Sequence, residues 1–159
     1  MPRITPNLWF DGDAEDAARF YCSVFPDSRV VKTTPYPEGT GPAGSVMIVE
    51  FELAGQPFVG INGGPQYSFT EAVSFGIACE TQEEVDRYWA ALTDGGEEGP
   101  CGWLKDRFGL SWQVVPEGMD ELFSDDDPQR ASRAMQAMMG MRKLDIAAVR
   151  AAAEGAPAA

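Results

Sequence analysis

The sequence predicts an α+β fold in which one strand–helix–hairpin unit occurs twice. The first copy covers residues 4–61 and the second covers residues 73–115. In each copy an alternating strand is followed by an acidic turn, an amphipathic helical stretch and a closing strand that begins after a glycine. A duplicated unit of this kind predicts one pseudo-symmetric domain with a cleft between its halves.

The first copy contains four predicted strands and one helix. Residues 4–10 alternate, with Leu8 and Phe10 on one face and Asn7 and Trp9 on the other, as in a half-buried strand. The elements that follow are an Asp-Gly-Asp turn at 11–13, a helix over 14–25 that ends at Pro26, a strand over 28–34, a loop over 35–44 with three prolines and three glycines, and a hairpin of strands 45–53 and 57–61.

The second copy repeats this order with shorter strands. A strand over 73–79 precedes a helix over 83–92, for which Thr81 is the predicted N-cap and Glu84 the partner in a capping box. Closing strands are predicted over 102–104 and 110–115. The charged residues between them, Lys105-Asp106-Arg107, are interpreted as a solvated turn with weak ion pairs.

A helical tail follows the second copy. A short helix is predicted near 119–123, then a helix with Ala131, Met135, Met138 and Met139 spaced for one face, which would pack onto the domain or a partner subunit. Gly140 is predicted to break it before a second short helix that carries Leu144, Ile146, Ala147 and Val149. We therefore divide the chain into a domain at 1–127, built of units at about 3–62 and 73–117, a helical tail at 128–153, and a disordered end at 154–159.

Composition narrows the class of protein. The formal net charge of −13 repels nucleic-acid backbones and anionic lipid, so no nucleic-acid or membrane partner is expected. No apolar run is long enough for a membrane span or a signal peptide. Cys22, Cys79 and Cys101 are odd in number and lack a metal-type spacing, so a reducing cytoplasm is the expected location.

The chain contains no histidine. This absence removes the commonest general base and the commonest metal ligand. It excludes nucleophilic triads of serine or cysteine with histidine. Any metal would have to be held by carboxylates, cysteines or backbone oxygen atoms.

Two such units in tandem resemble the vicinal oxygen chelate superfamily, which includes glyoxalase I, extradiol dioxygenases and bleomycin-resistance proteins. The finer resemblance is to its PhnB-like group, whose members often carry the name 3-demethylubiquinone-9 3-methyltransferase. The residues that carry it include Ile4-Thr-Pro-Asn-Leu-Trp-Phe10, Asn62-Gly-Gly-Pro65, Glu80-Thr-Gln-Glu-Glu-Val85, Gly102-Trp-Leu-Lys-Asp106 and Phe108-Gly-Leu-Ser-Trp-Gln113. The resemblance implies tandem βαβββ units whose sheets curl into a cup with helices outside.

The resemblance also implies where a metal would lie. Metal-dependent members hold histidine or glutamate ligands at four cup positions, which correspond here to Asn7, Val59, Ser74 and Gln113. Amide and hydroxyl groups are weak ligands for transition metals, and valine supplies none. We therefore expect no metal and no cofactor.

The expected function is binding of a small organic molecule in the cup between the two repeats. Polar groups with large aromatic side chains suit a small, mostly apolar ligand. The alternative interpretation is that the aromatic residues pack in the core and the polar ones satisfy strand ends. The candidate ligand-binding residues are Asn7, Trp9, Val59, Ser74, Trp103, Ser111 and Gln113.

Two other functional classes stay open. An enzyme of the same fold, either the named methyltransferase or a lyase or isomerase, would use a carboxylate near the cup, and the candidates are Glu50 and Asp11. Asp11 is also explained as part of a turn. A third possibility is a protein that uses its methionine-rich tail as an interaction surface. A homodimer is expected, because exposed strand edges tend to pair.

Overall fold

The computed structural model describes residues 2–155 of the protein. The chain forms two compact units, Met1–Phe69 and Thr70–Ala159. Each unit contains one βαβββ repeat, so the predicted α+β class and the duplication are confirmed.

The first unit is a four-stranded mixed sheet with one helix. Its sheet order is β1-β4-β3-β2, with β1 parallel to β4 and the other neighbours antiparallel. The predicted loop lies between β2 and β3. The elements are β1 (Asn7–Phe10), α1 (Ala14–Val24), β2 (Arg29–Pro35), β3 (Val46–Leu53) and β4 (Gln56–Asn62).

One face of this sheet packs against α1. Leu8 and Phe10 are buried there, as their alternation predicts, and so are Phe51 and Phe58. A Cβ atom at Gly60 would lie 3.1 Å from the Cβ of Ala14, so the helix approaches β4 closely. The opposite face of the sheet is therefore left for other contacts.

The second unit repeats the topology. Its sheet order is β5-β8-β7-β6, with β5 parallel to β8 and the other neighbours antiparallel. The strand β6 has only two residues and was not predicted, because so short a segment has no visible alternation. The elements are β5 (Phe75–Cys79), α2 (Gln82–Thr93), β6 (Glu97–Glu98), β7 (Trp103–Lys105) and β8 (Ser111–Pro116).

The predicted cap of α2 is confirmed with one difference. The Thr81 side chain accepts a hydrogen bond from the Glu84 backbone N–H at 3.2 Å. The Glu84 carboxylate accepts from the backbone N–H of Glu80, one residue before the N-cap, at 2.8 Å. This cap fixes the start of the helix whose apolar stripe packs on the sheet. That stripe is Val85, Tyr88, Trp89 and Leu92, all buried.

Three helices complete the second unit: α3 (Met119–Phe123), α4 (Pro128–Met139) and α5 (Ile146–Ala153). The predicted methionine face of α4 packs within the second unit only in part. Ala134 is buried and Met138 packs on the tail core, whereas Met135 and Met139 are exposed. On α5, Val149 and Ala153 are buried and Ala147 is exposed. The inward stripe therefore follows Ala134 and Met138, four residues apart, and not the methionines as a group.

The sequence predicts a disordered C-terminal end and no membrane span. The predicted disordered end at 154–159 falls mainly on residues 156–159, which lie outside the described residues. Over the part of the chain that is described, no helix has the length and apolar character needed to cross a bilayer.

Candidate functional site

The open face of the first sheet carries four of the predicted site residues. Asn7 is in register with Val59, and Val59 with Glu50. Lateral neighbours in a sheet point to the same side, so these three side chains share the face opposite α1. Lys32 pairs with Glu50 and extends the row. Glu50, one of the two candidate carboxylates, is thus beside the predicted position Val59.

Trp9 lies in the next row of this face, in register with Ile61. Its indole Nε1 donates a 2.8 Å hydrogen bond to the backbone O of Gly64, and its ring meets Tyr67 edge-on with centroids 5.1 Å apart. These contacts hold the indole against the segment after β4. The packing interpretation therefore applies to Trp9, whose polar group is already satisfied.

Asp11, the other candidate carboxylate, lies outside this face. It is exposed in the bend that follows β1, as the turn interpretation predicts. A shallow cavity of about 360 Å³ lies beside it, lined also by Glu15, Tyr36 and Asn62. Asp11 and Glu50 are therefore not brought together on one surface of the sheet.

The open face of the second sheet carries the other four predicted residues. Gln113 is in register with Gly76 on one side and with Trp103 on the other. Its Nε2 donates a 2.9 Å hydrogen bond to the hydroxyl of Ser74. Ser111 lies two residues earlier on β8, so it points to the same side as Gln113. The candidate residues are thus divided between the two units.

A pocket of about 530 Å³ lies at the β7 side of the second unit. Three residues of the open face contribute to it, namely Trp103, Lys105 and Ser111. The loop before β7 supplies Cys101. This volume is in the range of pockets that hold small organic molecules. The full lining is Glu71, Glu97, Glu98, Gly99, Pro100, Cys101, Trp103, Leu104, Lys105 and Ser111.

Ser111 is the unusual residue of this pocket. Its side chain is 1% exposed, and its hydroxyl has no hydrogen-bond partner among residues 2–155. A buried hydroxyl without a partner costs about 1–3 kcal/mol relative to a bonded one. A residue that lines the pocket therefore carries a buried polar group without a partner among the described residues.

Lys105 forms an ion pair with Glu71 at the edge of the same pocket. The hydrogen bond and charge of Lys105 lower the pKa of Glu71, and the contact with Glu71 raises the pKa of Lys105. Both side chains are substantially exposed, at 37% for Lys105 and 60% for Glu71, so solvent screens the pair. Both groups are charged at neutral pH.

The sequence interpretation of 105–107 as a solvated turn was wrong for two of its residues. Lys105 belongs to β7 and lines the pocket. Asp106 is 3% exposed and accepts hydrogen bonds from Phe108 N, Leu110 N and Trp112 Nε1 at 2.8, 3.1 and 2.8 Å. The alternation Trp-Leu-Lys was the available signal for Lys105, but three residues are too few to establish a period.

The cysteines differ in environment. Burial raises the pKa of Cys79 to about 11, with the Glu84 carboxylate adding to the shift. Burial also raises the pKa of Cys22. Cys101 is half-buried at the pocket and has a left-handed φ of 57°, next to Gly102, where a Cβ would lie 2.8 Å from Val114 O. All three are free thiols.

The residues at the four predicted ligand positions do not fit a transition metal. Val59 supplies no donor atom, and Gln113 and Ser74 are hydrogen-bonded to each other. Among residues 2–155, no three histidine, cysteine, aspartate or glutamate side chains group closely enough to hold a metal ion. Neutral amide and hydroxyl oxygens are poor ligands for zinc, nickel or iron.

Comparison with known proteins agrees with this architecture. Residues 2–115 match the model of the family described as 3-demethylubiquinone-9 3-methyltransferase. The PhnB protein from Bacillus cereus is 35% identical, with a TM-score of 0.65 over 72% of this chain and 99% of that chain. No curated protein matches the chain.

More distant structures share the fold alone. A protein from Pseudomonas aeruginosa is 20% identical, with a TM-score of 0.62 over 74% of this chain and 98% of that one. The fosfomycin resistance protein FosX from Listeria monocytogenes, solved with Mn(II) and sulfate, is 14% identical with a TM-score of 0.54 over 76% and 93%. With its duplicated βαβββ units, the chain belongs to the 3-demethylubiquinone-9 3-methyltransferase family, within the vicinal oxygen chelate superfamily.

Proposed function

We propose that this protein binds a small organic molecule through the open, polar faces of its sheets, and that the pocket of the second unit holds it. The observation that carries the proposal is the buried hydroxyl of Ser111, which has no partner among the described residues and lines the pocket. Trp103 supplies an aromatic surface beside it. The lining combines this aromatic ring, other apolar groups and a few polar or charged side chains, which is the usual composition of a small-molecule site.

The arrangement of the polar groups supports this location over the rest of the face. Gln113 and Ser74 are already hydrogen-bonded to each other. Trp9 already donates to Gly64 O. Ser111 is the predicted site residue with a buried side-chain polar atom that has no partner in the described chain. The expectation of a ligand shared by both repeats stays a prediction from sequence.

The test is a titration of ¹⁵N-labelled protein with benzyl alcohol, followed by ¹H–¹⁵N correlation spectra. We expect saturable shifts at the Trp103 indole N–H and at the amides of Lys105 and Ser111. Trp103→Ala should remove most of the affinity because it deletes the aromatic wall, and Ser111→Ala should weaken binding about fivefold by removing one hydrogen bond.

The control variant is Ser132→Ala, which removes an exposed hydroxyl on α4 far along the chain from the pocket. It should leave the affinity unchanged. Shifts that are absent, that do not saturate, or that persist undiminished in Trp103→Ala would contradict the proposal.

We propose further that no transition metal takes part. The chemistry of Asn7, Val59, Ser74 and Gln113 supports this, since none supplies a charged or imidazole donor. Elemental analysis after incubation with zinc, nickel and manganese should find far less than one metal ion per chain. A near-stoichiometric content that survives dialysis would contradict it.

A second candidate function is an enzyme that uses Glu50, since this carboxylate is half-buried beside Val59 on the open face of the first sheet. The family name suggests methyl transfer. The mixed βαβββ sheets are unlike the doubly wound sheet that carries the usual methyl-donor loop, so we favour the binding role. Methylation of a 3-demethylubiquinone analogue by a sulfonium donor, abolished by Glu50→Gln in a folded protein, would favour the enzyme.

A homodimer in the cytoplasm is the remaining part of the proposal. Within the first unit, the outer strand β2 exposes Val30 and Val31 by 39% and 50%, and such an edge favours pairing with another strand. Light scattering should give twice the mass of the chain. A monomeric mass at micromolar concentration would contradict the dimer.

A further inference from the structure

We infer that the ligand of the second unit's pocket is an organic cation, an ammonium or a related group attached to an aromatic or apolar body. The inference rests on the proposed binding function and adds the chemical class of the ligand. It is carried by the charges on the lining together with the unsatisfied hydroxyl of Ser111.

The charged groups of the lining are unbalanced. Three carboxylates, those of Glu71, Glu97 and Glu98, face one ammonium, that of Lys105. Lys105 is paired with Glu71, so the pair is neutral as a whole. Of the two other carboxylates, Glu98 lies 3.6 Å from the Arg142 guanidinium, so Glu97 leaves the pocket with a local excess of one negative charge, which attracts a cation and repels an anion.

Glu98 and Glu97 differ in their hydrogen bonds and ion pairs. The Glu98 carboxylate accepts a 2.9 Å hydrogen bond from Trp89 Nε1 and lies 3.6 Å from the Arg142 guanidinium. Glu97 lies across from Lys105 in the strand register, but Lys105 is bonded to Glu71. Glu97 is therefore the carboxylate best placed to meet a cationic ligand.

Two uncharged side chains of the lining, those of Ser111 and Trp103, can also interact favourably with a cation. A serine hydroxyl can accept a hydrogen bond from an ammonium N–H, and Ser111 Oγ is uncommitted among the described residues. An indole face attracts a cation through its quadrupole, and Trp103 lines the same pocket. An anion would find only Lys105, and would have to displace Glu71 from it.

The test compares three probes of similar shape: benzylammonium, benzyl alcohol and benzoate. Dissociation constants are measured from the Trp103 indole N–H shift at low ionic strength and again in 0.3 M sodium chloride. Benzylammonium should bind roughly fivefold to tenfold more tightly than benzyl alcohol, and benzoate more weakly than either. Added salt should narrow these differences, because it screens exposed charges.

Glu97→Gln should reduce the preference for benzylammonium over benzyl alcohol to less than about twofold, because it removes the charge that attracts the cation. The matched control is Glu83→Gln, which makes the same change in net charge on the exposed side of α2 and should keep the preference. Benzoate binding as tightly as benzylammonium, or a preference that survives Glu97→Gln, would overturn the inference alone. If none of the three probes binds, the proposed binding function fails and this inference fails with it.

Discussion

Gln113 donates a 2.9 Å hydrogen bond to the hydroxyl of Ser74, whereas Ser111, two residues earlier on the same strand, has no partner among residues 2–155. Ser111 is buried on β8, whereas Ser74 is half-buried just before β5 and its hydroxyl accepts the bond from Gln113. A buried hydroxyl without a partner lowers stability, whereas one that accepts a hydrogen bond contributes to it.

Replacing each serine by alanine should therefore change stability in opposite directions. Ser111→Ala removes an unsatisfied buried hydroxyl and should raise the free energy of unfolding by about 1 kcal/mol. Ser74→Ala leaves the Gln113 amide without its partner and should lower it by about 1 kcal/mol. Urea unfolding of both variants checks this, and equal losses in the two would show that Ser111 is an ordinary structural serine.

Asn62 joins three segments of the first unit. Its Oδ1 accepts from the backbone N–H of Ala14 at the start of α1, where Asp13 makes no side-chain cap, and its Nδ2 donates to Val46 O, both at 2.9 Å. Asn62→Ala should lower the free energy of unfolding by about 2 kcal/mol, since two partly buried groups lose partners. Asn7→Ala, which loses only an exposed bond to Thr5 O, should cost under about 0.5 kcal/mol. Similar losses in the two variants would contradict this role.

Asp106 fixes the turn between β7 and β8 through its three accepted hydrogen bonds. Asp106→Ala should lower the unfolding free energy by about 3 kcal/mol because three donors lose their acceptor, one of them the buried indole of Trp112. The control is Asp94→Ala, which removes an exposed carboxylate paired with Arg107 and should cost about 0.5 kcal/mol or less. Thermal unfolding compares the two, and a loss at Asp106 no larger than at Asp94 would refute the assignment.

Cys79 should make stability depend on pH in the alkaline range. Burial, and to a lesser degree the Glu84 carboxylate, raises the pKa of Cys79 to about 11. An ordinary cysteine thiol has a pKa of about 8.5. Between these values the folded state keeps a proton that the unfolded state releases, so stability falls as pH rises from about 9 towards 11. Cys79→Ala should show a shallower fall over this window in urea unfolding. Parallel curves for the two proteins would contradict the shift.

Much of the fold could be predicted from the sequence because it depends on local periodicity. The alternation around Leu8 and Phe10 and the helical stripe through Val85 and Trp89 each indicate an apolar face directly. Duplication then allowed the two repeats to be aligned, which placed Gln113 and Ser74 on one face before their hydrogen bond was known.

The rest depends on partners that are distant along the chain or on elements too short to show a period. Asp106 looks like a surface charge until the Trp112 indole is placed against it. Lys105 lines the pocket because it lies on the three-residue strand β7. Its ion-pair partner, Glu71, is distant along the chain. Met135 and Met139 are exposed although they share a helix face with Met138. Methionine is tolerated both inside a protein and on its surface, so its spacing alone does not predict burial.

The most direct test of the central claim is a set of intermolecular nuclear Overhauser effects between protein and benzyl alcohol. The binding proposal predicts cross-peaks from the probe's ring protons to the Trp103 indole and to the Ser111 methylene protons, both of which disappear in Trp103→Ala. Cross-peaks confined to other parts of the protein, for example to the separate cavity beside Met119 and Gly118, would contradict the claim that this pocket is the binding site.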